Sequence, residues 1–236
     1  MDISLSKKLK NISVFALDMI FPRHCFGCNI EQTWLCPDCE KSLQIIQTNS
    51  CFLCRRLTPN GICQSCRHKI PINGCFSVGF YRDPILKKMI HEFKYGYVAD
   101  LKHPLNKLLV DILPQIPIKN EESLIVPVPL HPKRENERGF NQSSLLAEII
   151  SQKTNIQTLP LLKRIKPTDP QANLKPAKRP QNVANAFVIN TSVKTNAKNI
   201  ILLDDVITTG ATIGECARIL HQAGYKKIYV LTIARG

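Results

Sequence analysis

No stretch of this 236-residue sequence is long and apolar enough to cross a bilayer. The nearest approach, Leu5 to Phe21, places Leu5, Leu9, Ile12, Phe15, Ala16, Met19 and Ile20 at helical spacing and is interrupted by Asp18. No small-residue cleavage site follows it, so neither an integral membrane segment nor an ordinary signal peptide is expected. The expected structure is a helix packed on its own domain, with a helix lying on a membrane surface or a partner as the alternative. A cytosolic address follows, and the alternative would place the protein at the inner face of the membrane. Acid is also scarce: 18 Asp and Glu face 32 Lys and Arg, a formal net charge of +14. Even with eight thiolates bound to two Zn2+ the chain stays strongly basic, which favours anionic partners, either phosphate-bearing small molecules or nucleic acid.

Cysteine is nearly absent beyond residue 75, where only Cys216 remains, because eight of the ten are confined to residues 25–66. They form four pairs, Cys25/Cys28, Cys36/Cys39, Cys51/Cys54 and Cys63/Cys66. A two-residue gap turns both sulfurs of a pair toward one side, where a metal can sit about 2.3 Å away. In a cytosolic chain such pairs are zinc ligands sooner than disulfides or redox dithiols. Two structural Zn2+ are expected, one on Cys25, Cys28, Cys36 and Cys39, the other on Cys51, Cys54, Cys63 and Cys66. An interleaved pairing is the alternative. Cys75 and Cys216 have no mate at ligand spacing and read as buried thiols. The remainder alternates strand and helix patterns, so two domains are expected: residues 1–74, an N-terminal helix and double zinc-ribbon module, and residues 75–236, an α/β domain with a central parallel sheet.

Within the second part, Phe76 to Tyr81 and Ser123 to Val128 read as strands, and Pro84 to Glu92 and Leu101 to Leu113 as helices. Asn141 opens a further helix, and Asn182 to Ile189 reads as a strand region. Lys163 to Pro180 holds four prolines, six basic residues and one acid, which predicts a mobile cationic loop. The last third is clearest: strand Ile200 to Leu203, tight turn Thr208 to Thr212, helix Ile213 to Ala223 closed by Gly224, and strand Ile228 to Ile233. That is a βαβ unit.

In Ile200-Ile-Leu-Leu-Asp-Asp-Val-Ile-Thr-Thr-Gly-Ala-Thr212 an apolar strand delivers two adjacent carboxylates to the carboxyl end of a sheet, where α/β proteins bind ligands. The hydroxyls, the glycine and the first turn of the following helix make a cradle for a phosphate monoester. Asp204 and Asp205 would then accept from a vicinal diol, with Mg2+ nearby. This span is similar throughout to the phosphoribosyl-diphosphate motif of type I phosphoribosyltransferases. The resemblance implies that Asp204 and Asp205 bind the ribose hydroxyls, and that Thr208, Thr209, Gly210, Ala211 and Thr212 bind the 5-phosphate of phosphoribosyl diphosphate or ribose 5-phosphate. Val126 to Arg134 occupies the position of that superfamily's pyrophosphate loop, with Lys133, Arg134 and Arg138 as candidate clamps on the leaving group. One of the two Val-Pro bonds in it is a candidate for the cis form.

The whole chain resembles the ComF competence proteins, described as amidophosphoribosyltransferase-like, which join a zinc-ribbon module to a type I phosphoribosyltransferase domain. The resemblance is carried by Phe21-Pro-Arg-His-Cys-Phe-Gly-Cys28, the later cysteine pairs, His91-Glu-Phe-Lys-Tyr95, Arg138-Gly-Phe-Asn-Gln142, and Gln171 with Arg179, Asn182 and Phe187. It implies a role in natural transformation, handling incoming single-stranded DNA in the cytosol beside a helicase partner. One departure bears on chemistry. Purine-salvage enzymes carry an aspartate, the base toward the purine, where this chain has Thr208, whose hydroxyl cannot serve as that base near neutral pH. The catalytic residues and the acceptor are therefore left unassigned. A genuine phosphoribosyltransferase of nucleotide metabolism and a phosphoribosyl-diphosphate sensor without chemistry stand as the competing readings.

Overall fold

The structure is a computed structural model that describes residues 22–46, 50–96, 98–168 and 175–236. The expected helix at Leu5 to Phe21 and the residue Gln171 lie outside these. The chain forms two compact units, residues 1–43 and residues 44–236. Composition changes at Gly74 but packing divides between Leu43 and Gln44. The second cysteine group therefore belongs to the unit that holds the sheet.

In the first unit, Cys25 and Cys28 flank a turn and Cys36 caps the short helix Pro37–Lys41. Phe26 stacks on Trp34 with ring centroids 5.7 Å apart, supplying apolar contact to a module with little core.

The second unit is built on five parallel strands in the order β1-β7-β6-β2-β3. These are β1 (Gly74–Phe80), β2 (Ser123–Pro127), β3 (Gln157–Thr158), β6 (Asn199–Ile207) and β7 (Lys227–Arg235). β6 lies inside the sheet, and its run from Asn199 to Leu203 is buried throughout, as a parallel strand covered on both faces requires. Side chains alternate between those faces. Leu124, Val126, Ile200, Leu202, Ile228 and Val230 all join one cluster, which is covered by Ile213, Cys216, Ala217 and Leu220 of the helix Ala211–Gln222. The same cluster takes in Phe52, Ile62, Ile70 and Ile72. The second cysteine group thus shares a core with the sheet.

Helices Pro84–Tyr95, Lys102–Ile112 and Gln142–Thr154 complete the main layers. Asp83 caps the first, accepting from the N–H groups of Ile85 and Leu86 at 2.9 and 3.0 Å. Two expectations are revised. Lys163 to Pro180 is not a loop throughout: β4 (Leu162–Arg164) pairs antiparallel with β5 (Phe187–Ile189), burying Leu162 and Arg164 and exposing Lys163, and Arg179–Val183 is a helical turn. Residues 169–174 lie outside the described part. Among the described residues no peptide bond is cis, so both Val-Pro bonds are trans. Cys75 and Cys216 are buried, as expected of idle thiols.

Candidate functional site

The motif strand β6 ends where the sheet's carboxyl edge opens into a cavity lined by Asp204, Asp205, every residue from Val206 to Ile213, and Lys94, Arg134, Arg138 and Arg164. Gly210 has φ +74°, a left-handed conformation that a Cβ disfavours, and caps the helix Ala211–Gln222. A Cβ added there would also lie 2.8 Å from Ile70 Cδ1 and from Phe52 Cε2. The turn thus rests directly on the second cysteine module. First-turn N–H groups of a helix have no intrahelical partner, so the cavity wall carries donors and the positive end of a helix dipole. Arg179 donates to the Thr208 hydroxyl at 2.8 Å, adding a cation at the loop's rim.

The two carboxylates differ. Asp205 receives the Lys94 ammonium at 2.7 Å, with the two side chains only 10% and 21% exposed. The aspartates hold the lysine's pKa above its ordinary value although burial opposes this. Asp204 accepts from the backbone N–H of Asp205 at 2.9 Å and from the Ser143 hydroxyl at 3.4 Å. Burial, and then the neighbouring charge of Asp205, raise its pKa to about 7. Both carboxylates are therefore more enclosed than a strand's exposed carboxyl end would suggest. Ser143 is placed by Asn141, which caps its helix by accepting from the Ser143 N–H at 3.0 Å and anchors to the Val128 carbonyl at 3.1 Å.

The cations come from three elements. Pro132–Arg138 is a seven-residue helix, not an extended loop, and its one-turn spacing brings Arg134 and Arg138 into the cavity lining. Lys133 is not among the lining residues. Arg138 donates to Gln142 Oε1 at 3.0 Å and lies 5.0 Å from the centroid of the Tyr95 ring, a cation–π contact that fixes its direction. Arg164 is 8% exposed, lies over the Phe187 ring, and shares Thr168 with Arg134. Burial and the nearby Arg134 charge lower its pKa.

Asp204, Asp205, Thr208, Thr209, Gly210, Ala211, Thr212, Arg134 and Arg138 are thus brought together, and Lys94 and Arg164 were not foreseen. Lys94 was legible in principle, because it falls four residues after Ile90 and eight after Leu86 on a stripe that buries Leu86, Met89, Ile90 and Phe93. A cation on an apolar stripe needs a partner. Arg164 follows buried Leu162 by the period of two, a pattern hidden by the surrounding prolines and lysines.

Each cysteine group gathers its four sulfurs within 4.8 Å of one another: Cys25, Cys28, Cys36 and Cys39 in one, Cys51, Cys54, Cys63 and Cys66 in the other. The sulfur separations of 3.6 Å for Cys28 and Cys36 and 3.5 Å for Cys54 and Cys63 suit a tetrahedron with ~2.3 Å metal–sulfur bonds. All ten cysteines are free thiols. Both groups can hold a structural zinc ion, in the consecutive pairing. Among the described residues, no helix is long and apolar enough to cross a membrane.

No family model matches the chain. Among solved structures, the allosteric regulatory enzyme of purine biosynthesis matches over 56% of this chain and 26% of its own, with 16% identity and a TM-score of 0.37. The chain is 28% identical over 224 residues to the DNA utilization protein YhgH of Escherichia coli (strain K12), covering 85% of this chain and 96% of that protein. It is 27% identical over 198 residues to the competence protein ComFC of Bacillus subtilis (strain 168), covering 80% and 79%. Competence protein F of Haemophilus influenzae is 32% identical over 222 residues, which span 90% of this chain and 95% of that protein. Identity at that level across most of both chains means that the chain belongs to the ComF family of competence proteins.

Proposed function

We propose that the cavity at the end of β6 binds phosphoribosyl diphosphate or ribose 5-phosphate together with Mg2+, and that the protein acts on or beside incoming single-stranded DNA during DNA uptake, next to a helicase partner. One observation carries the ligand reading: a carboxylate pair, a hydroxyl-rich glycine turn at a helix N-terminus, and four cationic side chains all line one cavity. Asp204 and Asp205 would accept from the ribose diol. Thr208 to Thr212 would hold the 5-phosphate through backbone N–H groups and hydroxyls. Arg134, Arg138 and Arg164 would bind the diphosphate, with Lys133 outside the lining. The paired carboxylates offer the hard oxygen ligands that Mg2+ takes, and the bound ion would neutralise part of the diphosphate charge. The uptake role rests on the names of the relatives, two of them competence proteins and one a DNA utilization protein.

Binding without turnover is favoured over a phosphoribosyltransferase of nucleotide metabolism, because the cavity lining contains no histidine or glutamate and no carboxylate beyond the pair. The pair itself gives the reading a pH test. Asp204 takes up a proton more readily folded than unfolded, so its contribution lowers stability as pH rises from the ordinary carboxylate range to about 7. An ionised Asp204 is the better acceptor for a diol and for Mg2+. Affinity for Mg2+–phosphoribosyl diphosphate is therefore expected to rise several-fold between pH 6 and pH 8, and Asp204→Asn to flatten that rise while keeping the ligand's own titration. Calorimetry at the two pH values checks this. Absence of binding at both would remove the ligand reading.

A further inference from the structure

The carboxyl edge of the sheet carries a second cavity, on the β1–β7 side, lined by Ser50, Arg55, Phe80, Tyr81, Arg82, Lys87, Arg235 and Gly236. Four of the eight are cations, two are aromatic and none is acidic. The nearest acid in sequence, Asp83, is 2% exposed and spends its carboxylate on the backbone N–H groups of Gln44, Ile85 and Leu86. Asp83 is thus not a partner of these cations, and Arg55 donates to a backbone oxygen of Gly236 at 2.7 Å. Arg235 is 3% exposed, donates to the carbonyl and hydroxyl oxygens of Ser50 at 2.6 and 2.8 Å, and lies 5.1 Å from the Phe80 ring centroid. Arg82 lies 4.8 Å from the same centroid. Two guanidinium groups thus pack against the Phe80 ring, and the neighbouring Tyr81 adds a second aromatic side chain of the kind on which nucleobases stack. Burial lowers the Arg235 pKa, with the nearby Arg55 charge acting in the same direction, and its Nε is buried without a hydrogen-bond partner.

The cavity adjoins the phosphoribosyl cavity through one residue. A Cβ on Gly236 would lie 3.2 Å from the Thr208 methyl group, and Thr208 lines the first cavity while Gly236 lines the second. With Arg179 on the Thr208 hydroxyl, cationic groups run from one cavity to the other along the sheet's edge.

We propose that this second cavity is the seat of a single-stranded nucleic acid, with Arg55, Arg82 and Lys87 taking phosphates above the buried Arg235 and Tyr81 offering its ring to a base; the assignment rests on the reading of the protein as a handler of single strands. A single strand suits it better than a duplex. The aromatic side chains among its cations suit unpaired bases, which a duplex keeps stacked inside itself.

The test compares Arg82→Glu/Lys87→Glu with Lys226→Glu/Lys227→Glu, an exposed pair before and at the amino end of β7 that changes net charge equally. The probe is a fluorescent oligo-dT, titrated across salt concentrations. The first variant is expected to lose roughly tenfold or more in affinity at low salt and to flatten the salt slope by about 1.4, two phosphates at about 0.7 each. The second should lose less than about threefold. Tyr81→Ser, which alters no charge, is expected to cost about fivefold or more through lost stacking. Inorganic phosphate at equal ionic strength should compete no better than chloride. If wild type binds oligo-dT and the two charge variants weaken equally, the site assignment fails while the single-strand reading stands. If wild type does not bind at all, both fail. Specific displacement by inorganic phosphate would make the cavity a simple anion site and overturn the proposal.

Discussion

Cys54→Ser with Cys63→Ser is expected to unfold much of the sheet-bearing unit, whereas Cys28→Ser with Cys36→Ser is expected to leave it intact. Each variant should lose one of two zinc ions. The consequences differ because of where each tetrad packs. Cys51, Cys63 and Cys66 are buried in the same cluster as Leu124, Ile200, Leu202 and Ile213. The knuckle between the pairs also meets β1 backbone: a Cβ on Gly61, whose φ is +69°, would lie 1.8 Å from the Cys75 carbonyl oxygen. A structural zinc site contributes about 10 to 16 kcal/mol of apparent binding free energy at pH 7, about as much as or more than a domain's net stability. Loss of the second ion also withdraws Phe52 and Ile70, which support Gly210, so any folded fraction should bind phosphoribosyl diphosphate poorly. Metal analysis, circular dichroism and thermal melting of both variants measure this. Equal melting of the two variants would contradict the shared core.

Asp205→Ala is expected to cost about 3 kcal/mol of folding stability, read from urea unfolding. The Lys94 ammonium would be left enclosed without its 2.7 Å partner, and the cost of an unpaired buried charge exceeds what the pair itself contributes. Asp205→Ala combined with Lys94→Met should recover most of that loss, since the cation goes with its partner and the aliphatic stem's volume is kept. Ligand binding should not recover. That divergence separates a structural role for the pair from the proposed role in holding the ribose diol, because a merely structural pair would let the double variant regain both. Asp204 responds differently: its replacement relieves like-charge repulsion with Asp205 and exposes no lone cation, so Asp204→Asn should hold or raise stability above pH 7.

The motif strand and its turn were readable from the sequence because local chemistry determines them. A run of four large apolar residues bounded by acids and a turn fits a strand covered on both faces of a parallel sheet, and a glycine after two threonines marks a positive φ ahead of a helix. Strand order was not readable. Nothing near Lys227 says that β7 inserts between β1 and β6, since that outcome depends on right-handed crossovers over the whole unit. Composition made all eight paired cysteines look like one module. Residues between and just after the later pairs, Ile62, Ile70 and Ile72, decide otherwise by burying against the sheet, while Ile30 in the first unit stays 57% exposed. Lys133 and Arg134 looked equivalent as neighbouring cations in a loop. A helix separates them by about 100°, and only Arg134 and Arg138 reach the cavity.

The cavity at the end of β6 is proposed to take a phosphoribosyl group. Isothermal titration calorimetry of Mg2+–phosphoribosyl diphosphate into the zinc-loaded full chain at pH 8, beside Asp204→Asn/Asp205→Asn of matched zinc content at a temperature where both proteins are folded, tests it most directly. One saturable site is expected in the wild type. The double variant should bind at least a hundredfold more weakly, because two charge-assisted hydrogen bonds to the diol, each about 1.5 to 3 kcal/mol, are weakened along with the metal ligands. Equal affinity in the two proteins, or no heat of binding in the wild type, would contradict the account.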